Sequence, residues 1–357
     1  MEIKILPLPE AVKKPKCSDE SKLGFGKLFT DRMLIADWHA GHGWVDPRIV
    51  PYGPFVLDPA CSVLHYAQEI FEGLKAYKWA DGSIALFRPE MNARRFNLSA
   101  DRMCMPEVPE ELFVKGIEEL VRLEKDWIPT SEGTSLYIRP TMIAVEPALG
   151  VKPADHYYIY VILSPVGAYY AAGFNPINIL VEDHYVRAVR GGTGEAKTGG
   201  NYASSLKAAL KAKEKGCDQV LWLDGVERRY IEEVGAMNMC FAYGNTVVTS
   251  PLTGSILNGV TRDSVLTLLK SLGYSIEERM IDVNELFADI RAGKVTEAFG
   301  SGTAAVVTPV GTLTYKEERL TIGDGGVGAL TRKLYDTLTG IQTGRIEDSF
   351  GWVRKIA

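Results

Sequence analysis

Lys197 stands in the run Gly191-Gly192-Thr193-Gly194-Glu195-Ala196-Lys197-Thr198-Gly199-Gly200-Asn201-Tyr202, where five glycines fall within ten residues. Glycine weakens regular structure and lets other groups approach the backbone closely. A lysine on such a segment, at the exit of a strand, is well placed to reach into a cleft; the plainer reading is an exposed loop lysine. The run also nearly spells the phosphate-cradling loop GxxxxGK[ST]. Ala196 stands where that loop requires glycine, however, and Gly199-Gly200 interrupts the helix that would hold the phosphates. Glu232-Glu233-Val234-Gly235 sits between two expected strands, where one carboxylate faces either a cationic heteroatom or solvent. Gly259-Val260-Thr261-Arg262 precedes a helix, with Thr261 as a cap and Asp263 in the first turn, and N–H groups exposed there suit a phosphate. Gly300-Ser301-Gly302-Thr303-Ala304-Ala305 reads as an anion-binding nest or a tight turn. His39 and His42 have an i, i+3 spacing, but no third ligand lies nearby in sequence, so no metal is expected.

The elements that must position these groups fall into two sets. Ahead of the lysine, Asp81-Gly82 reads as a hairpin turn between 74–79 and 83–87. Pro89–Arg102 and Pro109–Leu123 carry apolar residues at helical spacing, and 136–145 and 157–163 read as strands. Residues 157–181 contain no charged side chain, but Ser164-Pro165, Gly167, Gly173 and Asn175-Pro176 break them into strand, loop (164–176) and strand rather than a membrane span. Beyond the loop, a strand over 177–189 leads through the glycine-rich run into a helix over 203–215, ended by Gly216. Strands at 218–223, 238–242, 246–250, 274–279 and 295–299 follow, with helices at 261–272 and 283–291. The expected fold class is α+β: a smaller domain over 1–163, an interdomain loop over 164–176 and a larger domain over 177–357.

Composition narrows the function classes. The chain has 357 residues, a formal charge of −5, 46% hydrophobic and 24% charged residues, an ordinary folded balance for about two domains. Mild acidity argues against a nucleic-acid partner, and neither a polybasic anchor nor a signal peptide is visible. Five scattered cysteines without a CxxC read as reduced thiols of a cytoplasmic protein.

Taken together, these segments resemble the branched-chain amino-acid aminotransferases, the fold-type IV class of pyridoxal-phosphate (PLP) enzymes. The resemblance runs from Phe25 to Trp352. It is carried by Leu64-His65-Tyr66, Phe71-Glu72-Gly73-Leu74-Lys75-Ala76-Tyr77, Tyr137-Ile138-Arg139-Pro140, Glu146-Pro147-Ala148-Leu149-Gly150-Val151, Lys197 to Tyr202, Glu233-Val234-Gly235 and Gly300 to Ala304. It implies two α/β domains joined by a loop, the second of them binding PLP. It implies Lys197 as the lysine that carries PLP as a Schiff base and moves the substrate Cα proton. Tyr202 corresponds to the tyrosine on the cofactor's phenolic oxygen and Glu233 to the carboxylate on its ring nitrogen. Arg95, with Arg94 as its rival, and Val260, Thr261 and Thr303 correspond to the phosphate cradle; Arg187 is a family arginine near the cofactor tyrosine.

The family's substrate pocket corresponds to Phe25, Phe71, Tyr137, Tyr169 and Ala236, with Tyr66, Leu149 and Val151 supplied by the other subunit of a homodimer. Arg139 with Tyr66 would take the side carboxylate of 2-oxoglutarate, and the Thr303 and Ala304 N–H groups the α-carboxylate. The implied reaction moves an amino group between leucine, isoleucine or valine and 2-oxoglutarate. Ala236 replaces a common threonine, Asn258 a common proline, and Ala305 and Thr308 the CxxC of animal relatives. A D-amino-acid aminotransferase, an aminodeoxychorismate lyase, a P-loop protein and an idle PLP carrier remain as alternatives.

Overall fold

A computed structural model describes residues 2–167 and 174–356. The chain divides into two compact units, one of Met1–Tyr169, Ala196–Gly199 and Gly340–Ala357, the other of Tyr170–Glu195 and Gly200–Thr339.

The first unit holds β1 (Lys4–Ile5), β2 (Arg32–His39), β3 (Gly43–Pro51), α1 (Ser62–Tyr66), β4 (Glu69–Phe71), β5 (Leu74–Lys78) and β6 (Ile84–Phe87). α2 (Pro89–Arg102), α3 (Glu110–Leu123), β7 (Ser135–Ala144) and β8 (His156–Val166) follow. The strands lie in the order β1-β3-β2-β8-β7-β5-β6, with β4 also on β7. Gly82, at φ +86°, turns the expected hairpin between β5 and β6. α2 starts on Pro89, whose missing N–H costs nothing at a helix start. It buries Asn92, Ala93, Arg95, Phe96, Ser99 and Ala100 along one face. Phe96, Phe113, Ile117 and Leu120 join Leu34, Leu86, Leu136 and Val161 in one apolar core against the sheet.

The second unit holds β9 (Ile177–Glu182), α4 (Gly199–Ala203, its start shared with the first unit), α5 (Leu206–Glu214), β10 (Gln219–Leu223), β11 (Ile231–Val234), β12 (Met237–Tyr243) and β13 (Thr246–Thr249). After these come α6 (Val260–Ser271), β14 (Ser275–Glu278), α7 (Val283–Arg291), β15 (Glu297–Gly302), β16 (Val306–Tyr315), β17 (Glu318–Thr321) and α8 (Ala329–Gln342). The sheet runs β11-β10-β9-β16-β15-β12-β13-β14, and β11 also pairs with β12, so six strands close into a ring. Met239, Phe241, Phe287 and Leu313 lie in its core.

Four expectations need correction. Residues 164–166 continue β8, because Val166 pairs with Ser135 of β7, so they are not loop. The strand over 177–189 ends at Glu182, whose carboxylate accepts the N–H groups of His184 and Tyr185 at 2.8 and 3.1 Å and turns the chain. The helix expected over 203–215 starts only at Leu206, as α5; α4 ends at Ala203, and the Ser204 and Ser205 hydroxyls bond back to the Asn201 and Tyr202 carbonyls at the break. The last segment is not part of the second unit: β18 (Val353–Lys355) pairs antiparallel with β6 and extends the first sheet.

Candidate active site

Within the first unit, the segment bearing Lys197 is held by main-chain and hydroxyl contacts. Lys197 N–H donates to Ser99 Oγ at 2.9 Å, its carbonyl accepts from Phe71 N at 2.9 Å, and Thr198 Oγ1 donates to the Glu69 carbonyl at 2.7 Å. The amine lies 5.0 Å from the Phe71 ring centroid, so the ring face meets its charge. α4 has five residues, too short for the phosphate-holding helix of a P-loop, and the lysine backbone is tied to α2 instead.

Glu72 is fully buried beside this amine. Arg95 grips it with Nε to Oε1 at 2.6 Å and Nη2 to Oε2 at 2.9 Å, and Asn92 Nδ2 donates to Oε2 at 2.7 Å. Burial pushes the Glu72 carboxyl up, but Arg95 and then Lys197 outweigh it and hold it below the usual range. Arg94 points outward to Glu110, so Arg95 is the inward arginine. Glu72 and Ser99 had no role assigned from the sequence; the Phe71-Glu72-Gly73 segment was the visible signal for the first, the spacing of α2 for the second.

Tyr137 and Arg139 lie two residues apart on β7 and share a face. Arg139 Nη2 donates to Tyr137 Oη at 3.1 Å. The guanidinium stands 4.7 Å from the Phe71 ring centroid, and its Nε is buried without a hydrogen-bond acceptor among the described residues. Phe25 meets the Tyr137 ring edge-on at 4.9 Å. Gly73 is required here, since a Cβ would fall 2.0 Å from Tyr137 Oη. Tyr66, Leu149 and Val151 are exposed, with Tyr66 Oη donating to the Leu149 carbonyl. Tyr169 lies outside the described residues.

In the second unit, Glu233 is buried on β11, with Arg187 Nη1 2.8 Å from its Oε2 and Asn238 Nδ2 donating to its Oε1 at 3.1 Å. Arg187 also donates to the Ser255 carbonyl at 2.9 Å. The adjacent Glu232 points to the other face and accepts from Ser255 Oγ; burial pushes its carboxyl up. The β11–β12 hairpin turns at Gly235 (φ +56°) and Ala236. Val260 and Thr261, both buried, open α6 after Gly259, and no side chain caps that end. Thr303 and Ala304 lie in the turn between β15 and β16. Tyr202 is half-buried on α4.

The histidine pair resolves differently. The partners of His39 come from other parts of the sheet: ligand atoms of Asp37, His39 and His156 lie within 4.8 Å of one another, while His42 is outside the group. The His39 and His156 rings stack at 4.1 Å and 22°. Arg48 Nη1 pairs with Asp37 Oδ2 at 2.6 Å, and His156 Nε2 stands 3.5 Å from Asp37 Oδ1.

Each unit by itself carries groups whose chemistry suits part of a phosphorylated aromatic aldehyde: the first an amine against a ring face, the second a buried carboxylate suited to a ring nitrogen and an uncapped, buried helix start suited to an anion. Residues 69–313 match the amino-transferase class IV family. The chain is 54% identical over 347 residues to branched-chain-amino-acid aminotransferase 2 of Bacillus subtilis (strain 168), covering 97% of this chain and 95% of that one. It is 50% identical over 338 residues to the branched-chain-amino-acid aminotransferase of Mycolicibacterium smegmatis, covering 93% and 92%. Among solved structures, the Escherichia coli branched-chain amino acid aminotransferase superposes with a TM-score of 0.76 at 26% identity, over 90% of this chain and 99% of that one. The T.th. branched-chain amino acid aminotransferase with pyridoxamine 5'-phosphate gives 0.75 at 28% identity, over 94% and 99%. The chain therefore belongs to the class IV amino-transferase family, among the branched-chain-amino-acid aminotransferases of fold type IV, and is a PLP-dependent transaminase.

Proposed function

We propose that this enzyme moves an amino group reversibly between L-leucine, L-isoleucine or L-valine and 2-oxoglutarate, giving branched-chain 2-oxo acids and L-glutamate. The observation that carries this reading is an aromatic wall of Phe25, Phe71 and Tyr137 interrupted by one guanidinium, Arg139, whose Nε is buried without an acceptor. The wall suits an aliphatic side chain, and the cation suits a side-chain carboxylate. An apolar wall separates side chains differing by a methylene by only ~1–3 kcal/mol, so all three branched-chain amino acids are accepted.

PLP, when bound, supplies the electron sink that makes the substrate Cα–H acidic. Lys197 Nζ would hold the cofactor covalently and, once the substrate amine has displaced it, would move the proton from the substrate Cα to the former aldehyde carbon, with the reverse transfer in the second half-reaction. Glu233, kept in place by Arg187 and Asn238, keeps the ring nitrogen protonated. Tyr202 donates to the phenolic oxygen. Arg95, Val260, Thr261 and Thr303 hold the phosphate. The Thr303 and Ala304 N–H groups and the Tyr137 hydroxyl bind the α-carboxylate, and Ala236 and Tyr169 complete the pocket. Tyr66, Leu149 and Val151, exposed on one subunit, serve the site of its partner in a homodimer. The five free thiols agree with a cytoplasmic location, and no described helix is long and apolar enough to cross a membrane.

The test is to load the protein with PLP, add leucine and 2-oxoglutarate, and measure glutamate. The expected result is stoichiometric glutamate, and a Lys197→Ala variant that loses turnover by roughly 10²–10⁴-fold or more together with the near-visible absorbance of the holoenzyme. A colourless protein that binds ATP with magnesium, or a holoenzyme that turns over D-alanine but not leucine, overturns the reading.

A further inference from the structure

The face of the first sheet that carries Phe71, Tyr137 and Arg139 also carries Lys75, opposite Tyr137, and a carboxylate, Glu69, neither of which any role above uses. β4 pairs antiparallel with β7, with Glu69 opposite Ile143 and Phe71 opposite Thr141. Side chains two residues apart share a face, so Glu69 and Phe71 point to the same side as Arg139, Thr141 and Ile143. Glu69 is half-buried, and its Oε1 fills the space that a Cβ on Gly199 would take, 1.8 Å away. Its carboxylate is thereby lodged between the Lys197 segment and the Arg139 face. Its link to Arg139 is charge acting through space. Burial pushes the Glu69 carboxyl up, while Arg139 favours its charged form. Tyr160 beside them, raised chiefly by its own burial, senses both charges.

A pocket that takes aliphatic and acidic side chains in turn has a charge problem. A half-buried guanidinium without a counter-charge is costly when the occupant is aliphatic and over-tight when the occupant brings a carboxylate. We propose that Glu69 is the built-in counter-charge of Arg139. It compensates the guanidinium while an aliphatic side chain fills the pocket, and it competes with the side carboxylate of an acidic substrate for the same cation. This makes Glu69 a specificity-determining residue acting through Arg139. The inference rests on Arg139 being the ligand of that side carboxylate.

The experiment uses holoenzyme and two unreactive acids, glutarate and 4-methylpentanoate, with dissociation constants from calorimetry. Glu69→Gln keeps the shape and the main-chain contact to Thr198 but removes the charge. The two affinities are expected to move in opposite directions: glutarate tightens by about tenfold and 4-methylpentanoate weakens by about threefold. Glu69→Asp, which retains the charge, keeps the wild-type ratio of the two constants. In an Arg139→Gln background, Glu69→Gln no longer tightens glutarate. Constants that shift together, as a loosened pocket would give, or a ratio left unchanged by Glu69→Gln, overturn the role of Glu69 while the substrate reading stands. A wild-type holoenzyme that binds neither acid overturns the substrate reading, and this inference with it.

Discussion

Glu72 has 0% of its surface exposed, and its charge is accepted inside the protein only because Arg95, Asn92 and its neighbour Gly73 N–H at 3.0 Å surround it. Removing that carboxylate leaves a buried guanidinium uncompensated, a loss of about 3–5 kcal/mol. Glu72→Gln is therefore expected to lower the urea midpoint of the apoenzyme at neutral pH. The pH dependence follows from the depressed carboxyl. An acid held below its usual value of 4.5 contributes stability above that pH, and the contribution is lost as pH falls through the lower folded value. The wild-type advantage over Glu72→Gln should thus be full at pH 7 and shrink progressively below about pH 4.5. A difference that is flat from pH 7 to about pH 3, or a variant with the wild-type midpoint, contradicts this. The runs that hold Lys197, Tyr202 and Glu233 stand out in the sequence, while the roles proposed for them come from the family resemblance. The Glu72–Arg95 fork was not legible there: each residue is an ordinary charge in its own segment, and only the packing of α2 behind β4 makes them a pair.

At the scale of elements, the β11–β12 hairpin and the start of α6 are coupled through Asn238. Its Nδ2 donates both to Glu233 Oε1 at 3.1 Å and to the Leu257 carbonyl at 2.9 Å, and a Cβ on Gly259 would fall 2.1 Å from its Oδ1. Gly259→Ala must push Asn238 away from Glu233 while leaving the cap geometry of α6, at φ −73°, open to any residue. The expected result is weaker PLP binding by about tenfold, or ~1.4 kcal/mol, in a fluorescence titration, with thermal stability close to wild type. Unchanged PLP affinity breaks the proposed coupling. The elements themselves were read unevenly. α2 and α7 came out at their expected bounds because each buries one stripe at helical spacing. The β2–β3 hairpin escaped, because β2 is buried from Met33 to Ala36 on both faces and gives no alternation to read. Polar side chains erased the ends of others: Glu182 stops β9, and Ser204 and Ser205 hold the start of α5 back to Leu206.

At the scale of the whole chain, what local pattern cannot show is where a segment returns. β18 adds to β6 from the far end of the sequence, with Phe87 against Trp352 and Arg354 bound to Glu90 at 2.8 Å, and nothing in residues 353–355 announces that pairing. The distribution of cysteines is also a property of the fold as a whole. All five are free; Cys104 is exposed, Cys17 is half-buried, and Cys61, Cys217 and Cys240 are buried. Burial raises the Cys61 thiol and pushes Cys240 up to about 11, so neither offers thiolate near neutral pH. Reaction with a colorimetric disulfide at about pH 8 should therefore proceed in two stages. Cys104 reacts fast and Cys17 more slowly in the native protein, and the remaining three appear only in denaturant, for a total of five. Cys104→Ser should abolish the fast phase without changing the denaturant midpoint, because the side chain it replaces is exposed. Three or more fast thiols in the native enzyme would mean that the packing opens on the timescale of the reaction around Cys61, sealed by Ile143 and Val145, around Cys217, packed against α5, or around Cys240 within β12.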